Sequence, residues 1–208
     1  MEASVHRWTT LAAIAEARCI GIIRAGSEAE ATEIGKALIA GGLTVVEVAY
    51  TTANASAAIS ELRSEYPSAI VGAGTVLDSA AAYTAVSAGA QFIVSPVISE
   101  EVLVTGHRYG VAVLPGACTP TEINTAMGLG ADAVKLFPAG SLGLDFMRSI
   151  GAAMPHVPFI PTGGVTVANA LEWLEAGAVA VGLGGDLTRG DAADIQDHAA
   201  QLVRLLSH

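Results

Sequence analysis

The sequence predicts an α/β protein, specifically a single-domain (β/α)8 TIM barrel with an extra N-terminal helix. Short apolar runs of strand character alternate with longer alanine-rich runs of helical period. Eight such pairs of strand and helix follow one another, which is the number that closes this kind of barrel. Because the 208 residues suit one domain, we expect residues 1–18 to hold the N-terminal helix and residues 19–208 the barrel.

The strand candidates are short runs dominated by aliphatic residues. In chain order they cover residues 19–24, 45–50, 70–74, 92–95, 111–115, 133–137, 159–162 and 179–182. The helix candidates are the longer segments that follow each strand, and a further candidate at residues 5–17 precedes the first strand. In chain order the others cover residues 28–40, 53–65, 79–88, 99–108, 120–128, 142–153, 166–176 and 191–206.

A weak internal repeat supports the number of strands. Four segments, which start at Ala40, Ala88, Gly130 and Ala176, each combine a helix end, a glycine turn and a buried strand. They introduce the second, fourth, sixth and eighth strands, as expected of units built alike. The alternative architecture is an open doubly wound sheet, but no dinucleotide-binding glycine pattern follows the first strand.

Composition limits the class of protein. Hydrophobic residues make up 52% and charged residues 14% of the chain, which indicates a compact protein with a substantial core. No run of about 18 uninterrupted apolar residues occurs, so we expect no membrane partner. The first residues lack a basic start followed by an apolar signal core, which favours a cytoplasmic location. Cys19 and Cys118 do not make a disulfide framework.

The charge balance argues against one class of partner. The formal net charge is −10, whereas a general nucleic-acid-binding protein needs a basic face for the phosphate backbone. A small anionic substrate requires only one or two local donors and is therefore compatible with this charge. The histidines and carboxylates show no spacing typical of metal ligands, so we expect no metal site.

Lys135, one of only two lysines, lies in the apolar run Ala133-Val134-Lys135-Leu136-Phe137. Burying an unpaired ammonium group is unfavourable, so a lysine in such a place tends to lose its proton. A neutral amine in an apolar pocket can condense with a ketone or an aldehyde to form a Schiff base. The alternative is a lysine whose stem packs in the core while its head reaches solvent or a carboxylate.

Catalytic groups of a barrel lie at the C-terminal ends of the strands and in the loops that follow them. Polar residues, glycines and prolines of this sequence gather at those positions. In chain order the candidate residues are Arg24, Glu47, Thr51, Thr75, Pro96, Lys135, Phe137, Thr162, Gly163, Gly164, Gly184 and Gly185. This clustering favours a functional role for Lys135 and therefore points to carbonyl chemistry.

Glu47 is the only acid of an otherwise apolar strand candidate. Burial would raise its pKa toward the range that is useful for proton transfer. The alternative is a core glutamate paired to Arg24 or Lys135. The two interpretations are compatible, because enamine chemistry requires a base beside the Schiff-base lysine.

Two glycine-rich turns follow the seventh and eighth strand candidates. Residues 162–164 and 182–185 can present backbone N–H groups to an anion. A glycine turn alone is a weak signal, but barrels commonly bind phosphate at these two positions.

Seven short motifs follow one another over nearly the whole chain. They read Val-Glu-Val at 46–48, Gly-Ala-Gly-Thr-Val at 72–76, Ile-Val-Ser-Pro at 93–96, Leu-Pro-Gly at 114–116, Thr-Pro-Thr-Glu at 119–122, Val-Lys-Leu-Phe-Pro-Ala at 134–139 and Pro-Thr-Gly-Gly-Val at 161–165. With them the sequence resembles the 2-keto-3-deoxy-6-phosphogluconate (KDPG) and 4-hydroxy-2-oxoglutarate (KHG) aldolases. The resemblance implies a metal-independent class I aldolase, usually a homotrimer, that releases pyruvate and an aldehyde from a small 2-oxo acid. It implies no cofactor, only a covalent imine on Lys135.

The resemblance also implies a role for each candidate residue. Lys135 matches the Schiff-base lysine, and Glu47 matches the general acid and base. Thr75 and Pro96 match positions that line the pyruvate carboxylate and a water, and Phe137 matches an aromatic ring packed against the imine. The remaining matches are Thr162, which faces the aldehyde half, and the phosphate-end glycines Gly163, Gly164, Gly184 and Gly185.

Two positions depart from the family pattern. Many members carry an arginine where this chain has Thr51, and Arg24 could supply the missing guanidinium. Phosphate-handling members usually carry a serine at the position of Gly185, so a non-phosphorylated or shorter substrate such as 4-hydroxy-2-oxoglutarate gains weight. Galacto-specific members tend to carry an apolar residue at the position of Thr162, so the resemblance favours a gluco-configured substrate.

Two other classes of protein stay open at this point. A phosphate-binding TIM-barrel isomerase or epimerase would act through carboxylates or histidine without a covalent imine. A non-catalytic 2-oxo-acid-binding protein would keep the barrel without its clamp residues. Covalent trapping distinguishes the first from an aldolase, and turnover distinguishes the second.

Overall fold

The computed structural model describes residues 6–207, and within them strands and helices alternate along the chain. The strands are β1 Cys19–Ile23, β2 Val45–Ala49, β3 Ile70–Gly74, β4 Phe92–Val94, β5 Ala112–Leu114, β6 Gly116–Ala117, β7 Val134–Leu136, β8 Phe159–Pro161 and β9 Val181–Leu183. The helices are α1 His6–Ala17, α2 Glu28–Ala40, α3 Ala55–Glu65, α4 Ser79–Ser87, α5 Glu100–Arg108, α6 Pro120–Gly128, α7 Ala139–Leu142, α8 Leu144–Ala153, α9 Ala170–Glu175 and α10 Ala192–Leu206. The predicted α/β class is confirmed, and residues 1–5 of the predicted N-terminal segment lie outside the described residues.

The strands form a curled parallel sheet in two parts. One part has the order β5-β4-β3-β2-β1-β9, and the other has the order β6-β7-β8. A parallel bridge between Thr162 and Gly182 connects the second part to the first. The Val179 N–H also donates to the Phe159 carbonyl at 3.0 Å on the same side. The C-terminal ends of the parallel strands therefore meet around one centre.

The predicted strand at 111–115 is β5 in the structure, and a second short strand that was not predicted, β6, follows it directly. β5 pairs with β4, and β6 pairs with β7. Pro115 lies between them and has no N–H to donate, whereas its carbonyl accepts from the Lys135 N–H at 3.0 Å. The chain thus passes from one part of the sheet to the other at Pro115.

Two predicted helices also differ from the structure. The predicted helix at 142–153 is α8, preceded by the single turn α7, and Gly143 separates the two with a φ of +84°. A left-handed backbone interrupts an α-helix, and glycine adopts it without strain. The predicted helix at 166–176 begins later, at Ala170, because residues 166–169 form a turn in which the Thr166 N–H donates to the Asn169 side chain.

The side chains inside the curled sheet form their own apolar cluster, separate from the core between sheet and helices. Ile14 of α1 belongs to the inner cluster together with residues near the starts of the strands, including Ile20, Val45 and Phe92. Burying one such side chain contributes about 1.5–3 kcal/mol. Helix α1 therefore covers the N-terminal side of the sheet, opposite the strand ends where the candidate residues gather.

A buried carboxylate connects α1 to the turn before β7. Asp132, whose side chain is 5% exposed, accepts hydrogen bonds from Arg7 Nε at 2.6 Å and from the Val113 N–H at 2.9 Å. His107 Nε2 of α5 lies 3.1 Å from its second oxygen. These contacts hold three elements against the segment that carries Lys135 three residues later.

We expect Asp132→Ala to lower the free energy of unfolding by about 2–4 kcal/mol, because it leaves a buried N–H and a half-buried guanidinium without their acceptor. Urea unfolding followed by circular dichroism measures the change. The control is Asp145→Ala, which removes a carboxylate that is 99% exposed from its ion pair with Arg148 and should leave the unfolding midpoint unchanged. Equal midpoints for the two variants would contradict this account of Asp132.

Candidate active site

A cavity of about 630 Å³ opens at the C-terminal ends of the strands. Eleven of the twelve candidate residues line it, and Thr51 is the exception. The lining residues are Ile22, Arg24, Glu47, Thr75, Pro96, Lys135, Phe137, Thr162, Gly163, Gly164, Val165, Thr166, Gly184, Gly185, Asp186 and Thr188. The order of the parallel strands thus brings together residues that are far apart in the sequence.

Lys135 is the central residue of β7 and lies beside Gly116 of β6 and Ile160 of β8. Its side chain is buried, since the residue is 6% exposed. The Nζ atom lies 5.0 Å from the centroid of the Phe137 ring, which is a cation–π distance. Within residues 6–207 no carboxylate forms an ion pair with it. Among the described residues, Lys135 is therefore not paired with a carboxylate, which was one of the alternatives drawn from the sequence.

Glu47 lies on β2 and is 2% exposed. Burial raises the pKa of its carboxyl group, while the positive charges of Lys135 and Arg24 act in the opposite direction. Glu47 forms no direct ion pair with either cation in the described part of the chain. A carboxylate whose pKa is raised by burial is a stronger base than a solvent-exposed one, which suits it to accept a proton.

Thr51 contacts Arg24 and does not line the cavity. Its hydroxyl accepts a hydrogen bond from Arg24 Nη1 at 3.0 Å. The neighbouring Thr52 is buried, and its hydroxyl accepts from the Ala25 N–H at 3.1 Å. The two threonines therefore fix the loop after β1, and Thr51 acts on the cavity through the guanidinium that it holds.

Thr75 has a left-handed backbone with a φ of +58°. This region is unfavourable for a β-branched residue, and such strain is concentrated at functional sites. The next residue is held by a hydrogen bond of 3.2 Å from the Val76 N–H to the Val94 carbonyl. The turn directs Thr75 into the cavity beside Pro96 at the end of β4.

The turn after β8 presents backbone to the cavity, because Gly163 and Gly164 have no side chains. Both have positive φ angles, +82° and +84°, which glycine tolerates. The Gly140 N–H donates to the Gly163 carbonyl at 2.7 Å, so the start of α7 supports this turn. A Cβ at Gly163 would lie 3.1 Å from the Phe137 ring, which shows how closely the aromatic ring covers the turn.

Five lining residues were not among the sequence candidates: Ile22, Val165, Thr166, Asp186 and Thr188. Asp186 directly follows the Gly184-Gly185 turn, so its position after the last strand was a usable signal. Its carboxylate accepts from the Val167 N–H at 2.9 Å and lies 3.6 Å from Arg189 Nη1. Asp186 therefore fastens the two glycine-rich turns together at this end of the cavity.

Neither a membrane helix nor a metal-ligand group is found in the described part of the chain. No helix between residues 6 and 207 is long and apolar enough to cross a bilayer. Among the same residues, no group of three or more His, Cys, Asp or Glu side chains is arranged to hold a metal ion.

Comparison with known proteins gives a consistent result. The family model described as KDPG and KHG aldolase matches residues 11–204. The 2-dehydro-3-deoxy-phosphogluconate aldolase of Pseudoalteromonas atlantica is 36% identical over 80% of this chain and 78% of its own length. The native KDPGal structure superposes with a TM-score of 0.86 and 32% identity over 91% of this chain and 94% of that one.

A further solved structure bears on the chemistry. It is the KDPG aldolase of Legionella pneumophila with pyruvate captured at low pH as a covalent carbinolamine intermediate. It is 28% identical to this chain, covers 99% of it with 97% of its own length, and has a TM-score of 0.81. That relative therefore binds pyruvate covalently on a fold that this chain shares.

We expect Lys135→Met to raise the pKa of Glu47 further, because the variant removes a positive charge that favours the carboxylate. Infrared titration of the protonated carboxyl band, assigned with Glu47→Gln, measures the change. Lys36→Met is the matched control, since Lys36 forms its ion pairs with Glu33, Glu61 and Glu65 instead. An unchanged or lower pKa in Lys135→Met would contradict the electrostatic coupling.

Proposed function

This chain belongs to the KDPG and KHG aldolase family, and from that premise we propose how its cavity works as a class I, pyruvate-dependent aldolase. The substrate is a 2-keto-3-deoxy sugar acid of the 6-phosphogluconate type or 4-hydroxy-2-oxoglutarate, and the products are pyruvate and an aldehyde. The observation that carries this proposal is the pairing of a buried lysine that has no ion-pair partner among residues 6–207 with a buried glutamate in one cavity.

The Lys135 amine adds to the C2 ketone to form a carbinolamine, which loses water to give an iminium ion. Glu47 removes the proton of the C4 hydroxyl while the C3–C4 bond breaks, and the bonding electrons move into the iminium to form an enamine. The aldehyde departs, the enamine takes a proton at C3, and water releases pyruvate from Lys135. No external cofactor enters this sequence of steps.

The other lining residues divide the substrate into two ends. Thr75 and Pro96 lie at the ends of β3 and β4 and take the pyruvate carboxylate, and Phe137 covers the imine. Thr162 faces the aldehyde half. The distal end, which is phosphorylated in one substrate class, lies against backbone at Gly163, Gly164, Gly184 and Gly185, and Arg24 reaches the substrate with Thr51 behind it.

The architecture around this site is one domain that spans residues 1–208. We infer that β5 and β6 are one bent strand, so that the two parts of the sheet close as an eight-stranded (β/α)8 barrel with α1 as the extra N-terminal helix. The hydrogen bonds at Pro115 and the bridge from Thr162 to Gly182 support this closure. A cytoplasmic location remains a prediction from the sequence.

Trapping with pyruvate tests the proposed chemistry. Incubation with pyruvate and borohydride, followed by intact-mass measurement and peptide mapping, should give one reduced adduct, on Lys135. Lys135→Ala should give no adduct and no turnover. Lys36→Ala, which changes the only other lysine, should retain both. Glu47→Gln should still form the adduct while turnover falls about a hundredfold or more.

The possible outcomes separate the three classes of protein. A folded protein without an adduct would overturn the aldolase mechanism in favour of an isomerase or epimerase. An adduct without cleavage of any 2-keto-3-deoxy acid or of 4-hydroxy-2-oxoglutarate would indicate the binding protein.

We also propose that the enzyme is a homotrimer. Apolar side chains are about half exposed along α4, α5 and the loops before them, and Tyr83 and Tyr109 contact each other there with ring centroids 5.5 Å apart. These residues are Leu77, Tyr83, Val97, Val104 and Tyr109. Exposed apolar patches of this kind are typical of subunit interfaces.

Sedimentation equilibrium should give three times the chain mass of 20.9 kDa. Val104→Glu should shift the protein toward monomer, because it places a charge within the apolar surface. Gln201→Glu on α10 adds the same charge at an exposed position and should leave the trimer intact. A monomeric parent protein would refute the proposal, and an unaffected Val104→Glu trimer would place the interface elsewhere.

A further inference from the structure

The Glu47 side chain occupies space that a neighbouring strand leaves free. In the parallel register of β2 and β3, Glu47 is the partner of Gly72, and Ala49 is the partner of Gly74. The carboxyl group extends along β3 to Gly74, toward the cavity. A Cβ atom built at Gly74 would collide with Glu47 Oε1 and Cδ and would lie 2.7 Å from Cγ.

The backbone does not require glycine at this position. Gly74 is not among the residues with a positive φ, so an alanine could adopt its conformation without strain. Gly163 and Gly164 differ in this respect, because their left-handed backbones favour glycine in any surroundings. What Gly74 provides is therefore space, and the group that fills the space is the carboxyl group of Glu47.

Glu47 lines the cavity, so a methyl group at position 74 would displace its carboxyl group toward that open space. The carboxyl group also experiences the charges of Lys135 and Arg24 in its present place, and a shift would change both interactions. A displacement of about 1 Å is enough to lower the rate of a positioned catalytic group about a hundredfold.

We propose that Gly74 is a positioning residue, whose missing side chain sets the place of the Glu47 carboxyl group for proton transfer. The inference rests on the proposed aldolase function and deepens it, because it explains how a long acidic side chain is aimed from within a sheet. Gly74 itself touches no reacting atom. Its effect should appear in the steps that Glu47 performs and not in the addition of Lys135 to the ketone.

We expect Gly74→Ala to lower kcat for cleavage by about ten- to a hundredfold while the rate of borohydride trapping with pyruvate changes less than twofold. In the pH profile of kcat, the limb that reports the ionisation of Glu47 should move as well, since the carboxyl group changes its distance to Lys135 and Arg24. Gly151→Ala is the control, because a Cβ at that helical position meets nothing within 4 Å. Its kcat and pH profile should match the parent protein.

The pair Gly74→Ala with Glu47→Asp provides a second measurement. Aspartate is one methylene shorter, so the double variant removes the terminal oxygen that would collide most closely with the new methyl group and relieves part of the collision. Glu47→Asp alone should lower kcat, whereas its addition to Gly74→Ala should lower it less or raise it. If Gly74→Ala alone does not fold, the double variant should recover folding for the same reason.

Two results would overturn this role of Gly74. The first is cleavage by Gly74→Ala at the parental rate and with the parental pH profile. The second is a purely additive effect of the two substitutions. Failure of the aldolase proposal would look different, because the parent protein itself would then form no adduct with pyruvate or would cleave no 2-oxo acid.

Discussion

The balance of charge around the buried carboxyl group of Glu47 is the constraint on which the site depends. Removing a carboxylate from water is unfavourable, and burial alone would keep the group protonated. Lys135 and Arg24 reduce this effect without forming a direct ion pair with Glu47 among the described residues. Burial thus favours the protonated form of the Glu47 carboxyl group and the two cations favour its ionised form, and a group that acts as acid and base in one cycle uses both forms.

This balance needs fixed distances, and the fold supplies them from both ends of the strands. At the C-terminal ends, Thr51 holds Arg24 and Asp186 joins the two glycine-rich turns. At the opposite end, Asp132 fastens α1 and α5 to the segment that leads into β7. Lys135 thus projects from a short strand whose start is held by a buried carboxylate and whose neighbours are bonded through Pro115 and Ile160. The contacts that fix the site therefore lie mostly around the cavity and not inside it.

The site could be predicted from the sequence because its two principal residues contradict their surroundings. A lysine and a glutamate within apolar strands are conspicuous, and the rule that parallel strands present their C-terminal ends together placed the other candidates. That Thr51 bonds Arg24 and is absent from the cavity lining could not be predicted, because sequence spacing does not tell whether a side chain faces a cavity or a neighbouring guanidinium. The short strand β6 was not predicted because the proline and glycine at 115 and 116 are typical of a loop. Gly74 belongs to one of the sequence motifs, but glycine is needed there because of a contact with Glu47 on another strand. A local sequence pattern carries no information about such a contact.

Helix α1 and the apolar cluster inside the sheet lie toward the N-terminal ends of the strands, and the cavity lies at their C-terminal ends. In the proposed orientation the pyruvyl group is attached to Lys135 at the inner end, and the aldehyde half lies nearer the glycine-rich turns. The aldehyde can then diffuse away while the three-carbon fragment is still covalently held on Lys135. In the proposed mechanism the covalent bond to Lys135 thus sets an order of release, with the aldehyde first and pyruvate last. In the direction of synthesis the same bond makes pyruvate the leading substrate.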